Sequence, residues 1–186
     1  MSAHPPHTPL SAPTRPHRRL HWSIIIPLAI LLPAAVLFLC ERLRVYTVPN
    51  DTMAPTIKKD ETIIMEGATF FWRSPRRGDV IVFKSDGIPG LPPGQRWVKR
   101  VIGEPGDHLK ISEGKLYIHS VLTPVRNATG EIPITAPPNF QLTYEDLTIP
   151  PDSYFTIGDN AAESWDSRSW GCVPRANILG RVCFRQ

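Results

Sequence analysis

Thr52 stands in the turn Val48-Pro49-Asn50-Asp51-Thr52-Met53-Ala54-Pro55-Thr56-Ile57, between prolines that fix φ near −65° and hold the turn rigidly. Its hydroxyl is a nucleophile if a base removes the proton. In isolation, a proline-flanked threonine reads as a linker turn. Lys99 is the candidate base. It lies inside the apolar run Trp97-Val98-Lys99-Arg100-Val101-Ile102. An ammonium pointing inward there is desolvated, its pKa falls, and a neutral amine becomes available. Strand alternation sends Lys99 and Arg100 to opposite faces, so one can be buried while the other is solvated.

The third informative stretch is Gly158-Asp159-Asn160-Ala-Ala-Glu-Ser164-Trp-Asp166-Ser167-Arg168-Ser-Trp170-Gly171. Its short polar side chains bond to backbone, and Asp159, Asp166 and Arg168 can form a buried ionic cluster. Such clusters fix a geometry more than they add stability. Ser164 can exchange a hydrogen bond with a neutral lysine and aim the amine. No metal or other cofactor is expected, because His108 and His119 do not sit at a metal-site spacing.

The elements that must carry these groups read as β-strands. Glu61–Met65, Asp79–Phe83, Trp97–Ile102 and Tyr154–Ile157 are short β-branched or aromatic runs. His108–Ser112 and Lys115–His119 alternate polar and apolar around Glu113-Gly114, which predicts a hairpin. Proline- and glycine-rich connectors fall at 88–94 and 132–139, and only Arg175–Leu179 hints at a helical turn. The sequence predicts an antiparallel, partly barrel-like all-β domain. Phe70-Phe71-Trp72, flanked by Arg73, Arg76 and Arg77, reads equally well as an interfacial anchor or as core rings. Cys172 and Cys183 read as two independent buried thiols.

Residues 1–19 hold five prolines and clustered positive charge, the composition of a disordered tail. Trp22 to Cys40 carries no formal charge, and as a helix it is about 28 Å long, close to the hydrocarbon thickness. Pro27 and Pro33 within it are tolerated by membrane helices. Residues 20–41 are therefore expected to be a single transmembrane signal-anchor, preceded by a cytoplasmic tail and followed by an extracytoplasmic domain over 42–186. Arg18 and Arg19 abut the span and set that orientation. Arg15, Arg18 and Arg19 account for much of the +4 charge. The remainder is nearly neutral, which argues against a nucleic-acid partner.

These stretches, taken in order, closely resemble the type I signal peptidases, membrane-anchored Ser-Lys proteases. The likeness runs through the anchor, the Thr52 turn, Arg77-Gly78-Asp79-Val-Ile-Val-Phe83, Val98–Asp107 and the Gly158–Gly171 box. It implies a mainly β signal-peptidase domain behind the anchor. By position Lys99 falls on the general base and Ser164 on the serine that orients it. Asp159, Asp166 and Arg168 fall on the polar cluster that shapes the site. Met53, Ile57 and Val98 fall where small substrate side chains are accepted. The family's nucleophilic serine is replaced by Thr52, and a residue that is often serine in the oxyanion site is Asn50. A side-chain amide also donates to an oxyanion, as does the Thr52 backbone N–H.

The resemblance implies an endopeptidase in a bacterial cytoplasmic membrane that removes signal peptides from exported precursors. Its partners would be those signal peptides and the lipid bilayer, with no cofactor. Two alternatives stand beside it: a catalytically impaired relative that binds signal sequences or an export partner, and a specialised processing peptidase of a conjugation system. Asn50-Asp51-Thr52 is also an N-glycosylation acceptor, and a glycan there would block the site, which favours a bacterial setting.

Overall fold

The computed structural model describes residues 22–127, 129–134, 144–160 and 162–185. The expected tail at 1–19 and the start of the expected anchor lie outside them. The chain divides into two compact units, 1–37 and 38–186. The uncharged run forms helix α1 (Trp22–Arg42), with Pro27 and Pro33 inside it. Ile24, Ile26, Leu28, Ile30, Leu31, Leu32 and Val36 are all exposed along it. Over the described residues, no helix is long and apolar enough to cross a membrane.

The second unit is mainly β and antiparallel. Its elements in chain order are β1 (Leu43–Thr47), β2 (Thr62–Glu66), a helical turn α2 (Thr69–Trp72), β3 (Val80–Lys84) and β4 (Arg96–Gly103). Next come β5 (His108–Ser112), β6 (Lys115–Ile118), β7 (Val121–Leu122), β8 (Arg126–Asn127), β9 (Gly130–Glu131) and β10 (Tyr144–Thr148). The chain then runs through β11 (Ser153–Ile157), α3 (Ser167–Trp170), β12 (Val173–Pro174) and β13 (Ile178–Arg185). A seven-stranded sheet has the order β1-β2-β13-β3-β4-β11-β12, and a four-stranded sheet the order β10-β5-β6-β7. The large sheet is open, a half-barrel with β1 and β12 at its ends.

The expected strands occur within a residue or so of their predicted limits. The hairpin turns at Glu113 and Gly114, both with positive φ (52° and 72°), the conformation of a tight two-residue turn. Seven strands fall outside the expected ones: β1, β10 and β13, and the two-residue strands β7, β8, β9 and β12. β1 follows α1 without a break. β13 is interrupted by Gly180, where the pairing with β3 shifts register. A Cβ there would collide with the Glu66 carbonyl, so the glycine is what allows β13 to pass against β2. The helical hint at 175–179 is a single 3-10 turn, Arg175–Asn177, leading into β13.

Three apolar clusters fill the unit, and β4 separates two of them. Val101 packs with Ile81, Phe83 and Tyr154, whereas Ile102 packs with Leu109, Ile111 and Phe155. A strand covered on both faces has no solvated side, as expected for a near-continuous apolar run. Arg100 is accordingly buried at 7 % exposure rather than solvated. In the aromatic triplet only Phe70 enters the core, while Phe71 and Trp72 are 56 % and 87 % exposed. Cys172 is half-buried, with burial pushing its thiol up to about 11. Cys183 is exposed, against the expectation of a buried thiol, because it lies near the end of β13.

Candidate active site

The turn that carries Thr52 joins β1 to β2 and is held by its own backbone. Ala54 N–H donates to Asp51 O (2.9 Å), Ile57 N–H to Met53 O (2.9 Å), and Lys59 N–H to Asp51 Oδ1 (2.9 Å). The 158–171 segment ties on from the other side, where Asn160 N–H donates to Thr52 O (3.1 Å). This approach needs Gly158. A Cβ there would collide with the Thr52 carbonyl and the Ser164 hydroxyl.

Lys99 sits mid-strand on β4, opposite Ile81 of β3. Its Nζ donates to Thr52 Oγ1 at 3.1 Å. Thr52 Oγ1 in turn donates to Asn50 Oδ1 at 2.9 Å, and the Thr52 N–H reaches the same oxygen at 3.4 Å. Lys99 is 1 % exposed. Burial brings its pKa down to about 8; Arg168 lowers it too, while Asp166 and Asp159 oppose the shift. Near neutral pH an appreciable fraction of the amine is therefore unprotonated. A hydroxyl within hydrogen-bond reach of such an amine can lose its proton to it.

Two buried ion pairs frame this centre rather than the single cluster expected. Asp166 accepts from Arg168 Nε at 2.8 Å, and the carboxylate also takes the Gly158 N–H (3.0 Å) and the Arg168 N–H (3.2 Å) at the start of α3. Asp159 instead pairs with Arg100, through Nε at 2.7 Å and Nη2 at 2.6 Å. Arg100 also holds the Gly78 carbonyl at 2.8 Å. Arg100 is the residue the sequence reading missed. The signal available was Asp159 itself, a buried carboxylate in need of a cation.

The remaining candidates divide. A cleft of about 130 Å³ is lined by Val48, Pro49, Asn50, Thr52, Trp97 and Val98, with Lys99 at its base. Of the residues expected to line a substrate pocket, Val98 lies on this cleft. Met53 and Ile57 are not on its lining. They are buried at 0 % and 1 % and pack with Val48, Ile63, Met65 and Val82 under the turn. Ser164 is buried, and its Oγ makes no hydrogen bond, to Lys99 or to any other described group. Trp97 adds what the sequence did not suggest: the Lys99 ammonium lies 5.5 Å from its ring centroid, a contact that favours the charged amine. Among the described residues no cluster of His, Cys, Asp or Glu could hold a metal ion.

The strand edge beside the cleft is open. Residues 96–100 of β4 pair with β3, but β11 joins the other edge only from Arg100 onward. Among the described residues, the Arg96–Lys99 stretch therefore keeps one free row of backbone donors and acceptors next to Thr52.

The family model described as "Signal peptidase, peptidase S26" matches residues 19–186, and the chain belongs to this family. It is 34 % identical over 139 residues to "Probable signal peptidase I-2" of Synechocystis sp., covering 74 % of this chain and 60 % of that relative. It is 31 % identical over 165 residues to "Signal peptidase I U" of Bacillus subtilis, covering 84 % of this chain and 83 % of that relative. A crystal structure of a signal peptidase I from Enterococcus faecalis V583 aligns with a TM-score of 0.45 at 31 % identity, over 59 % of this chain and 97 % of that one.

Proposed function

We propose that this chain is a membrane-anchored endopeptidase that removes signal peptides from translocated precursors, with Thr52 as nucleophile and Lys99 as general base. The observation that carries the reading is the 3.1 Å hydrogen bond between Lys99 Nζ and Thr52 Oγ1, made by a lysine whose pKa lies at about 8. The names of the family and of the relatives supply the substrate class.

The substrate adds as an extended strand to the free edge at Arg96–Lys99, placing its scissile carbonyl over Thr52. The neutral Lys99 amine takes the hydroxyl proton as Thr52 Oγ1 attacks that carbonyl. Asn50 turns its amide so that Nδ2, with the Thr52 N–H, donates to the developing oxyanion. The Lys99 ammonium then returns the proton to the leaving amine, and the acyl ester on Thr52 remains. A water deprotonated by the same amine hydrolyses the ester and regenerates the hydroxyl. Ser164, with its buried unpaired hydroxyl, is the group available to steady the amine through these transfers. Asp159, Asp166 and Arg168 keep the supporting segment in place. The cleft between Val48 and Val98 is small, which suits alanine-sized side chains.

The anchor reading rests on the uncharged run within α1 and on its apolar side chains, which are exposed all round the helix. It puts the N-terminus in the cytoplasm and residues 42–186 outside a bacterial cytoplasmic membrane. A second reading, a non-catalytic relative that binds signal sequences, is favoured by Thr52 in the serine's place. The buried Lys99 weighs against it, because a buried amine is costly to keep without use.

The test is direct. The full chain in detergent is incubated with a precursor bearing a small-x-small site, and the new N-terminus is sequenced. The proposal expects one cut directly after the second small residue. An intact precursor, or cleavage at unrelated bonds, contradicts it.

A further inference from the structure

Lys99, once charged, has little to compensate it. It is 1 % exposed and spends one N–H on Thr52 Oγ1 at 3.1 Å. Among the described residues it makes no ion pair. The charged groups that act on it are Asp166 and Arg168 of the 158–171 segment, with Asp159 nearby. Asp166 is engaged by Arg168 at 2.8 Å and Asp159 by Arg100 at 2.6 Å, so neither carboxylate belongs to the lysine. On β3 the residue opposite Lys99 is Ile81, which carries no charge.

The other group in contact with the amine is Trp97. Two residues apart on β4, Trp97 and Lys99 lie on one face of the strand. Nζ stands 5.5 Å from the indole centroid. Trp165, the neighbour of Ser164, meets Trp97 edge-on, with centroids 6.1 Å apart and planes at 73°. The Trp97 ring also packs against the cluster of Phe83, Val101 and Tyr154, and it lines the cleft with Thr52 and Lys99. Its Nε1 is buried without a hydrogen-bond partner among the described residues. Stranding that N–H is costly, and a phenylalanine would fill the apolar space without it. What the indole adds is the aromatic face that attracts a cation most strongly.

We infer that Trp97, braced by Trp165, is a positioning residue that stabilises the Lys99 ammonium in the dry site and keeps Nζ beside Thr52. The inference deepens the proposed reaction and rests on Lys99 as its base. When the Thr52 hydroxyl gives up its proton, the positive charge appears on Nζ beside the ring face. A carboxylate at ion-pair distance would hold the amine protonated at neutral pH and silence it as a base. With no stabilising contact, a buried lysine falls to a pKa of about 5–6 and takes a hydroxyl proton poorly. The ring supplies an intermediate degree of stabilisation, and Lys99 titrates at about 8.

The experiment titrates the full chain in detergent micelles, labelled with carbon-13 at lysine, and follows the Lys99 ε-carbon by NMR. Lys99→Met identifies its signal. Trp97→Leu keeps the site apolar and removes the ring face, so the Lys99 midpoint should fall by about half a unit to one unit. Trp97→Phe restores a weaker face, and its midpoint should lie between those of the leucine variant and the wild type. Both variants should keep wild-type circular dichroism. Where the leucine variant does not fold, the phenylalanine variant alone must titrate below wild type. The midpoint of the kcat/KM profile on a small-x-small precursor should move by the same amount. An unchanged Lys99 midpoint in the leucine variant overturns the inference. A raised midpoint overturns it too, because the ring would then act only by excluding water. A phenylalanine variant titrating at or above wild type does the same. The NMR titration needs no turnover, so absence of cleavage by the wild type strikes the peptidase reading and leaves the test of the ring standing.

Discussion

Lys99 Nζ and Thr52 Oγ1 lie 3.1 Å apart although 47 residues separate them in the chain. The two meet because β4 is buried on both faces and the β1–β2 turn folds over its exposed edge. In this arrangement the Thr52 proton points to Asn50 Oδ1 and the lysine is the donor. Catalysis reverses that bond, so the reactive state needs Lys99 unprotonated and the Thr52 hydroxyl turned away from Asn50.

The first consequence is a pH profile. Because burial sets the Lys99 pKa at about 8, kcat/KM for a signal-peptide substrate should rise through pH 8 and level above it. A profile flat between mildly acid and mildly alkaline pH would assign the base to another group.

Stability should move with the same group. The folded-state pKa of about 8 lies below the ordinary 10.5. Between those values the unfolded chain binds more protons than the folded one, so stability rises with pH across that window. Below it the native state carries a cost on the order of 3 kcal/mol. Lys99→Met should therefore raise the denaturation midpoint at pH 7 while abolishing cleavage. A destabilised Lys99→Met protein at pH 7 would mean that the ammonium is better compensated than its burial implies.

Thr52→Ser keeps the oxygen and removes the methyl that stiffens χ1. The serine hydroxyl turns more easily from Asn50 toward Lys99. The variant should cut the same bond about tenfold faster, a gain of about 1.4 kcal/mol in the transition state. Rates measured side by side on one precursor decide it, and a slower serine variant would show that the methyl helps position the nucleophile.

Asp159→Ala leaves the Arg100 guanidinium, 8 % exposed at its side chain, without its bidentate partner. The loss should be about 3–5 kcal/mol in chemical denaturation. Glu66→Ala opens the Arg181 pair, whose arginine is 39 % exposed, and should cost no more than about 1 kcal/mol. Similar costs for both would remove the structural role assigned to Arg100.

Much of the fold was legible because its strands announce themselves by β-branched runs and by the Glu113-Gly114 turn. The burial of Lys99 was legible for the same reason, since a charge in the middle of an apolar run has few places to go. β13 was not, because Gly180 breaks its pattern and only the Glu66 backbone explains why a glycine is needed there. Arg100 was misjudged because alternation alone assigns it a solvated face. That face is covered by Asp159 and the Gly78 carbonyl, partners distant in sequence. Met53 and Ile57 were placed on the cleft by resemblance, whereas Ile57 N–H bonds back to Met53 O and both side chains turn under into the core.

The most direct test of the central claim compares the wild-type chain with Thr52→Ala, both full length in detergent, on a precursor carrying a small-x-small site. If Thr52 is the nucleophile, the wild type releases the mature product and the alanine variant releases none, with unchanged circular dichroism. Equal rates for the two proteins, or no cleavage by either, would contradict it and leave a signal-sequence-binding relative in its place.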